Sequence, residues 1–174
     1  MKIFAETARL ILRELVQADA EGMFEMDGDP EVHLYLGNNP VKSIEQSKAD
    51  IDFIRKQYTE NGIGRWAVIE KATGKFVGWS GLKLIKETNN KHTNYYDLGY
   101  RFSKQYWGKG YATETAIAAK NYGFEVLKLD EIIGIADIAN LGSIHVLEKV
   151  GLKRISTFEY HGIEHHWMEI KNLV

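Results

Sequence analysis

Between Tyr95 and Glu114 the chain reads YYDLGYRFSKQYWGKGYATE, a strand-forming run followed by a glycine loop and a helix-forming run. Tyr95, Leu98, Tyr100 and Phe102 favour extended backbone. Gly108 and Gly110 permit a tight turn with exposed amides, and Ala112, Ala116, Ala119 and Gly123 then recur at i, i+4, i+7 and i+11 of a helix. A helix entered through such a loop presents unpaired N–H groups and the positive end of its dipole, the arrangement that holds phosphate. The chemistry implied is recognition of a phosphate-bearing ligand.

Two phosphate motifs are excluded. Thr113 replaces the third glycine of G-x-G-x-x-G, and no G-x-x-x-x-G-K-[ST] occurs. What remains is Q-x-x-G-x-G, in Gln105, Gly108 and Gly110. A second chemical pattern, His161-Gly162-Ile163-Glu164-His165, spells H-x-x-E-H, which would bind zinc on a helix. Gly162 disfavours a helix, and His165, Trp167 and Glu169 alternate with His166, Met168 and Ile170 as in a strand, so no metal ligand is assigned. The four tryptophans, Trp66, Trp79, Trp107 and Trp167, read as core or cleft-wall residues.

The segment Gln105–Gly110 resembles the acyl-CoA loop of the GCN5-related N-acetyltransferase (GNAT) superfamily, and the run YWGKGYATE resembles its RimJ/RimL-type branch. The opening ETARLILREL, from Glu6, is similar to the family's entry strand. Asn140-Leu141-Gly142-Ser143 and Leu147-Glu148-Lys149-Val150-Gly151-Leu152 are similar to its N-x-x-S and L-E-K-x-G-F elements. These motifs occur in the family's order across nearly the whole chain.

The resemblance implies acetyl transfer from acetyl-CoA, a co-substrate, directly to a primary amine in a ternary complex. The backbone from Gln105 through Trp107, Gly108, Lys109, Gly110, Tyr111 and Ala112 to Thr113 would hold the pyrophosphate, and an amide on the strand from Leu98 through Tyr100 to Phe102 would polarise the thioester carbonyl. Asn140 matches the asparagine that bonds pantetheine, and Ser143 the serine proposed to protonate the departing thiolate. Many relatives place a tyrosine four residues later for that role, where this chain has Leu147. On spacing alone both Asn140 and Ser143 are also good helix caps. For the base, Glu159 matches the glutamate that partners the serine, and Asp97 matches an acidic residue before the family's I-G-Y strand. The acceptor is open between a protein N-terminus and a small-molecule amine. A non-catalytic acyl-CoA-binding module is the alternative reading, and a zinc hydrolase a third.

The elements that must position these residues follow an α/β (α+β) order. Strands are expected near 8–15, 65–71, 76–85, 94–103, 131–137, 152–160 and 164–171, and helices near 17–28, 43–60, 110–126 and 141–150. Ser43 with Gln46 marks a helix start, and Gly151 a helix stop. The resemblance adds a mixed, mostly antiparallel sheet of about seven strands that splays between the fourth and fifth, with about four flanking helices. One domain spanning 1–174 is expected, 44% apolar and long enough for a proper core. The absence of cysteine excludes a disulfide, a thiolate metal ligand and a cysteine acyl-enzyme. Neither a signal-type apolar stretch after Met1-Lys2-Ile3-Phe4 nor a membrane-length run occurs, which points to the cytoplasm. A net charge of −2 gives no electrostatic drive toward nucleic acid. A homodimer is the commonest assembly for such a chain.

Overall fold

A computed structural model describes residues 1–174. The strands are β1 (Ile3–Glu6), β2 (Leu10–Arg13), β3 (Trp66–Glu70), β4 (Phe76–Ile85), β5 (Tyr95–Phe102), β6 (Glu131–Asp137), β7 (Lys153–Tyr160) and β8 (Ile163–Lys171). The helices are α1 (Ala20–Asp27), α2 (Ile44–Asn61), α3 (Tyr111–Glu125) and α4 (Leu141–Val150). All strands join one open sheet in the order β1-β2-β3-β4-β5-β6-β8-β7. Every pairing is antiparallel except β5–β6.

The sheet therefore has eight strands rather than about seven. The additional strand, β1, pairs with β2 and is pinned by Phe4, whose ring stacks on Trp66 at 4.9 Å between centroids. The first expected helix also divides, into a 3-10 turn at Gln17–Asp19 and the shorter α1. Asp19 explains the turn: its carboxylate accepts from the Val16 amide and, bidentately, from Arg13. The other expected elements lie within a few residues of those observed. Ser43 caps α2 by accepting from the Gln46 amide, and Gly62 and Gly151 end α2 and α4 in the left-handed conformation.

Alternation along the strands divides the core between the two faces. On one face α3 and α4 cover Leu10, Leu12, Val68, Leu82, Leu98, Ile132 and Met168. On the other, α1 and α2 cover Ala67 and Ile69, with Trp79 packed alongside. The continuous apolar run of β3 follows from this, because a strand buried on both faces has no polar side.

The feature that positions the site is the weak join between β5 and β6. Whereas β4 and β5 pair over eight residues, β5 and β6 share a single register pair, Asp97↔Ile133. Both strands continue past that pair, β5 to Phe102 and β6 to Asp137, without further ladder pairing. The sheet opens there, as the family resemblance predicts.

Candidate active site

Beyond Phe102 the backbone runs through a 3-10 turn at Lys104–Tyr106, which holds Gln105, and reaches α3 through Gly108 and Gly110. These glycines have φ of 76° and 81°, a region costly for any residue with a Cβ. No side chain caps α3, so its first amides, including those of Ala112 and Thr113, are free to donate to an anion. Trp107 is half-exposed and donates its indole N–H to the Phe102 carbonyl at 2.8 Å, fixing the loop to the end of β5. Phe102 and Tyr111 turn their rings into the core and leave only backbone to a ligand. The Tyr111 hydroxyl donates to Glu70 at 2.5 Å.

Basic groups surround this loop. The Lys109 ammonium lies 5.2 Å from the Tyr106 ring centre, and the Arg9 guanidinium 4.6 Å from that of Tyr111. Arg9 also donates twice to Glu114, at 2.6 and 2.8 Å, while Thr7 donates to the other carboxylate oxygen at 2.5 Å. Burial pushes the Glu114 carboxyl up, but the bonds from Thr7 and Arg9 outweigh it and hold the group below its ordinary pKa. Glu114 in the first turn of α3 is thus an anion already neutralised. An uncompensated carboxylate there would oppose a phosphate.

Ser143 lies in the first turn of α4, across the opened sheet from β5. Its amide donates to the Asn140 side chain at 3.2 Å, so Asn140 is the N-cap of α4. Its hydroxyl is 3.0 Å from the Tyr100 hydroxyl, which also donates to the Ser143 carbonyl at 2.9 Å. Leu147, which stands where relatives have a tyrosine, is buried in the core and carries no chemistry.

The two candidate carboxylates occupy opposite faces. Asp97 is an odd-numbered neighbour of Tyr96 and Leu98, which pack toward α3 and α4, so it projects to the α1–α2 face. There Arg65 donates to its Oδ2 at 2.5 Å and, through Nη1, to the carbonyls of Asp97 and Gly81, each at 2.6 Å. The guanidinium fills the space above Gly99, where a Cβ would come within 2.7 Å of Nη2. The other oxygen of Asp97, Oδ1, is buried with no partner. Burial raises the Asp97 carboxyl above its ordinary pKa, with Arg65 opposing the shift. Lys83 is its cross-strand neighbour, and burial, then Arg65, lower the lysine pKa. Glu159 is exposed on β7, directly opposite Glu164, on the face that carries Met168 and α4. It accepts no hydrogen bond, and β8 separates its strand from β6.

The structure thus brings Ser143, Asn140 and Tyr100 together on one face, sets Asp97 on the other, and leaves Glu159 on the outermost strand. His165 and His166 lie on a strand and face opposite ways, with His161 in the turn before it. Sequence reasoning missed Arg65 and Arg9. The signals that could have found Arg65 were a glycine inside a strand, at Gly99, and the need of a buried carboxylate for a cation.

Comparison with known proteins agrees with this geometry. The acetyltransferase (GNAT) domain model matches residues 9–153. An uncharacterized N-acetyltransferase, p20 of Bacillus licheniformis, is 30% identical over 85% of this chain and 81% of its own. The FsC-acetyl coenzyme A-N(2)-transacetylase of Aspergillus fumigatus is 33% identical over 87% of this chain and 66% of its own. A GNAT-family acetyltransferase structure from Bacillus anthracis superposes with a TM-score of 0.79 at 26% identity, covering 98% of each chain. With the glycine loop, the opened sheet and a family match across most of its length, the chain belongs to the GNAT acetyltransferases.

Proposed function

We propose that the protein transfers acetyl from acetyl-CoA directly to a primary amine, with both substrates bound together. The observation that carries this is the opening between β5 and β6, reached from the Gly108–Gly110 loop, with a hydroxyl pair on one face and a buried, half-satisfied carboxylate on the other. Amides of the loop and of the start of α3 would hold the pyrophosphate, Lys109 would add positive field, and Arg9 would cancel the Glu114 charge beside it. A Cβ at Gly108 would meet nothing within 4 Å, so the loop backbone there is open to a bulky anion.

In the transfer step the amine nitrogen attacks the thioester carbonyl carbon, the C–S bond breaks, and its electron pair leaves with sulfur. The nitrogen loses a proton to the Asp97 carboxylate, directly or through one water, and Ser143 donates a hydrogen bond to the sulfur as it becomes anionic. Burial raises the Asp97 pKa, so its carboxylate holds a proton more strongly than an exposed aspartate would, the direction a base requires. Glu159, in contact with solvent on the other face, is the second candidate. The run YWGKGYATE supports placement in the RimJ/RimL-type branch, with a protein N-terminus or a small amine as acceptor.

The test is free-thiol release from acetyl-CoA against peptides with free N-termini, polyamines, amino acids and aminoglycosides. The chain contains no cysteine, so all thiol signal comes from the coenzyme. Amine-dependent release supports the transferase and points to the acceptor class. Tight binding of acetyl-CoA without release on any amine would favour a binding module.

A further inference from the structure

We infer that Tyr100 is a positioning residue for the leaving-group side of this reaction, turning the Ser143 hydroxyl toward the coenzyme sulfur. The inference rests on the acetyl-transfer reading above. The phenol oxygen lies 2.9 Å from the Ser143 carbonyl and 3.0 Å from Ser143 Oγ, yet it has only one proton to give. With the phenol donating to the carbonyl, the serine hydroxyl donates back to the phenol. When negative charge develops on sulfur, the pair can rotate together, so that Tyr100 donates to Oγ and Ser143 donates to sulfur. A hydroxyl that is itself accepting a hydrogen bond is a stronger donor, which makes the two groups cooperative.

No proton need leave either oxygen. The C–S electron pair goes to sulfur, the amine proton goes to the carboxylate on the opposite face, and the thiolate is stabilised by the serine until it is released. Burial pushes the Tyr100 phenol well above its ordinary pKa, with the Ser143 bond opposing, so it stays protonated and available as a donor. The phenol arrives from β5, 43 residues before the serine, whereas the position four residues after the serine is the buried Leu147.

The test uses the full chain with CoA alone and so needs no acceptor. The thiol of bound CoA is titrated by its thiolate absorbance, taken as the difference from ligand-free protein. A serine donor lowers that thiol pKa relative to free CoA. Tyr100→Phe and Ser143→Ala should each weaken thiol ionisation by about tenfold, and the double variant should do no worse than either single. With an acceptor from the panel, Tyr100→Phe should lower kcat by about tenfold and leave the KM for acetyl-CoA within about twofold. A Ser143→Ala shift without a Tyr100→Phe shift, or effects that multiply, would overturn the inference while leaving acetyl transfer standing. No shift in either variant would remove Ser143 itself from the chemistry, and failure to bind CoA would remove the underlying reading. If Tyr100→Phe does not fold, fluorotyrosine at position 100 keeps the ring and its hydrogen bonds. A stronger phenol donor should then increase thiol ionisation, and no change would overturn the inference.

Discussion

Replacing Arg65 by methionine removes a guanidinium that makes three hydrogen bonds in a site only 9% exposed. The variant leaves the Asp97 carboxylate without its partner and frees two backbone carbonyls. Breaking a buried ion pair from one side costs about 3–5 kcal/mol. In a domain of this size each kcal/mol moves Tm by about 2–4 °C, so Arg65→Met should melt roughly 6–20 °C lower. Asp97→Asn is milder, because the amide oxygen can still accept from Arg65. The double variant should recover about 2 kcal/mol relative to the sum of the singles, since the orphaned charge is gone. The pH dependence has a definite sign. The folded-state pKa of Asp97 is raised, and losing Arg65 raises it further, so stability falls as pH climbs through that value. The Arg65→Met deficit should therefore be smaller at pH about 5 than at pH about 8. Urea unfolding of the four proteins at both pH values is the assay. A deficit below about 1 kcal/mol, strict additivity, or no dependence on pH would refute the reasoning.

Other substitutions test the remaining parts of the site. Gly110→Val, at φ of 81°, should weaken CoA binding by about tenfold or more in calorimetry, and retained affinity would refute the phosphate-loop assignment. Arg9→Ala should weaken CoA binding several-fold by exposing the Glu114 charge, and Glu114→Gln in the same chain should restore part of it. Asp97→Asn should cut kcat by about 100-fold or more while Glu159→Gln changes it less than about threefold, and the reverse order would move the base to the other face of the sheet. Ser43→Ala should cost about 1 kcal/mol in unfolding with no change in turnover.

Local signals in the sequence carried most of the framework. The glycines of the loop, the alanine stripe of α3 and the Ser43 cap each act over a few residues, and each element formed where they pointed. β1 escaped because four residues with Phe4 and Ala5 side by side carry no alternation, and its stability comes from Phe4 stacking on Trp66, more than sixty residues away. The same limit applies to the site. Asn140 and Ser143 are recognisable from their spacing, but the contact of Ser143 with Tyr100 and that of Arg65 with Asp97 depend on register between distant strands. Nothing in the residues around Arg65 marks it as buried, because its burial comes from the vacancy over Gly99 on another strand.

In the proposed reaction the period of the β-strand would divide the chemistry between the two faces of the sheet. Asp97 and Tyr100 are three residues apart on one strand, and an odd separation sends their side chains to opposite faces. The carboxylate therefore meets the α1–α2 side, and the phenol meets the first turn of α4. Inserting or deleting one residue between them would put both groups on the same face and leave the other without a partner. In an unbroken sheet this separation would be useless, because a ladder of hydrogen bonds would close the space between the strands. Here the ladder between β5 and β6 stops at Asp97↔Ile133, so a thioester lying in the gap could be approached by an amine from one side while its sulfur faces Ser143 on the other. An amine held on the same face as the leaving sulfur would have to compete with it for one set of polar groups. In the proposed reaction the opened sheet would avoid that competition, with one face as the acceptor side and the other as the leaving-group side.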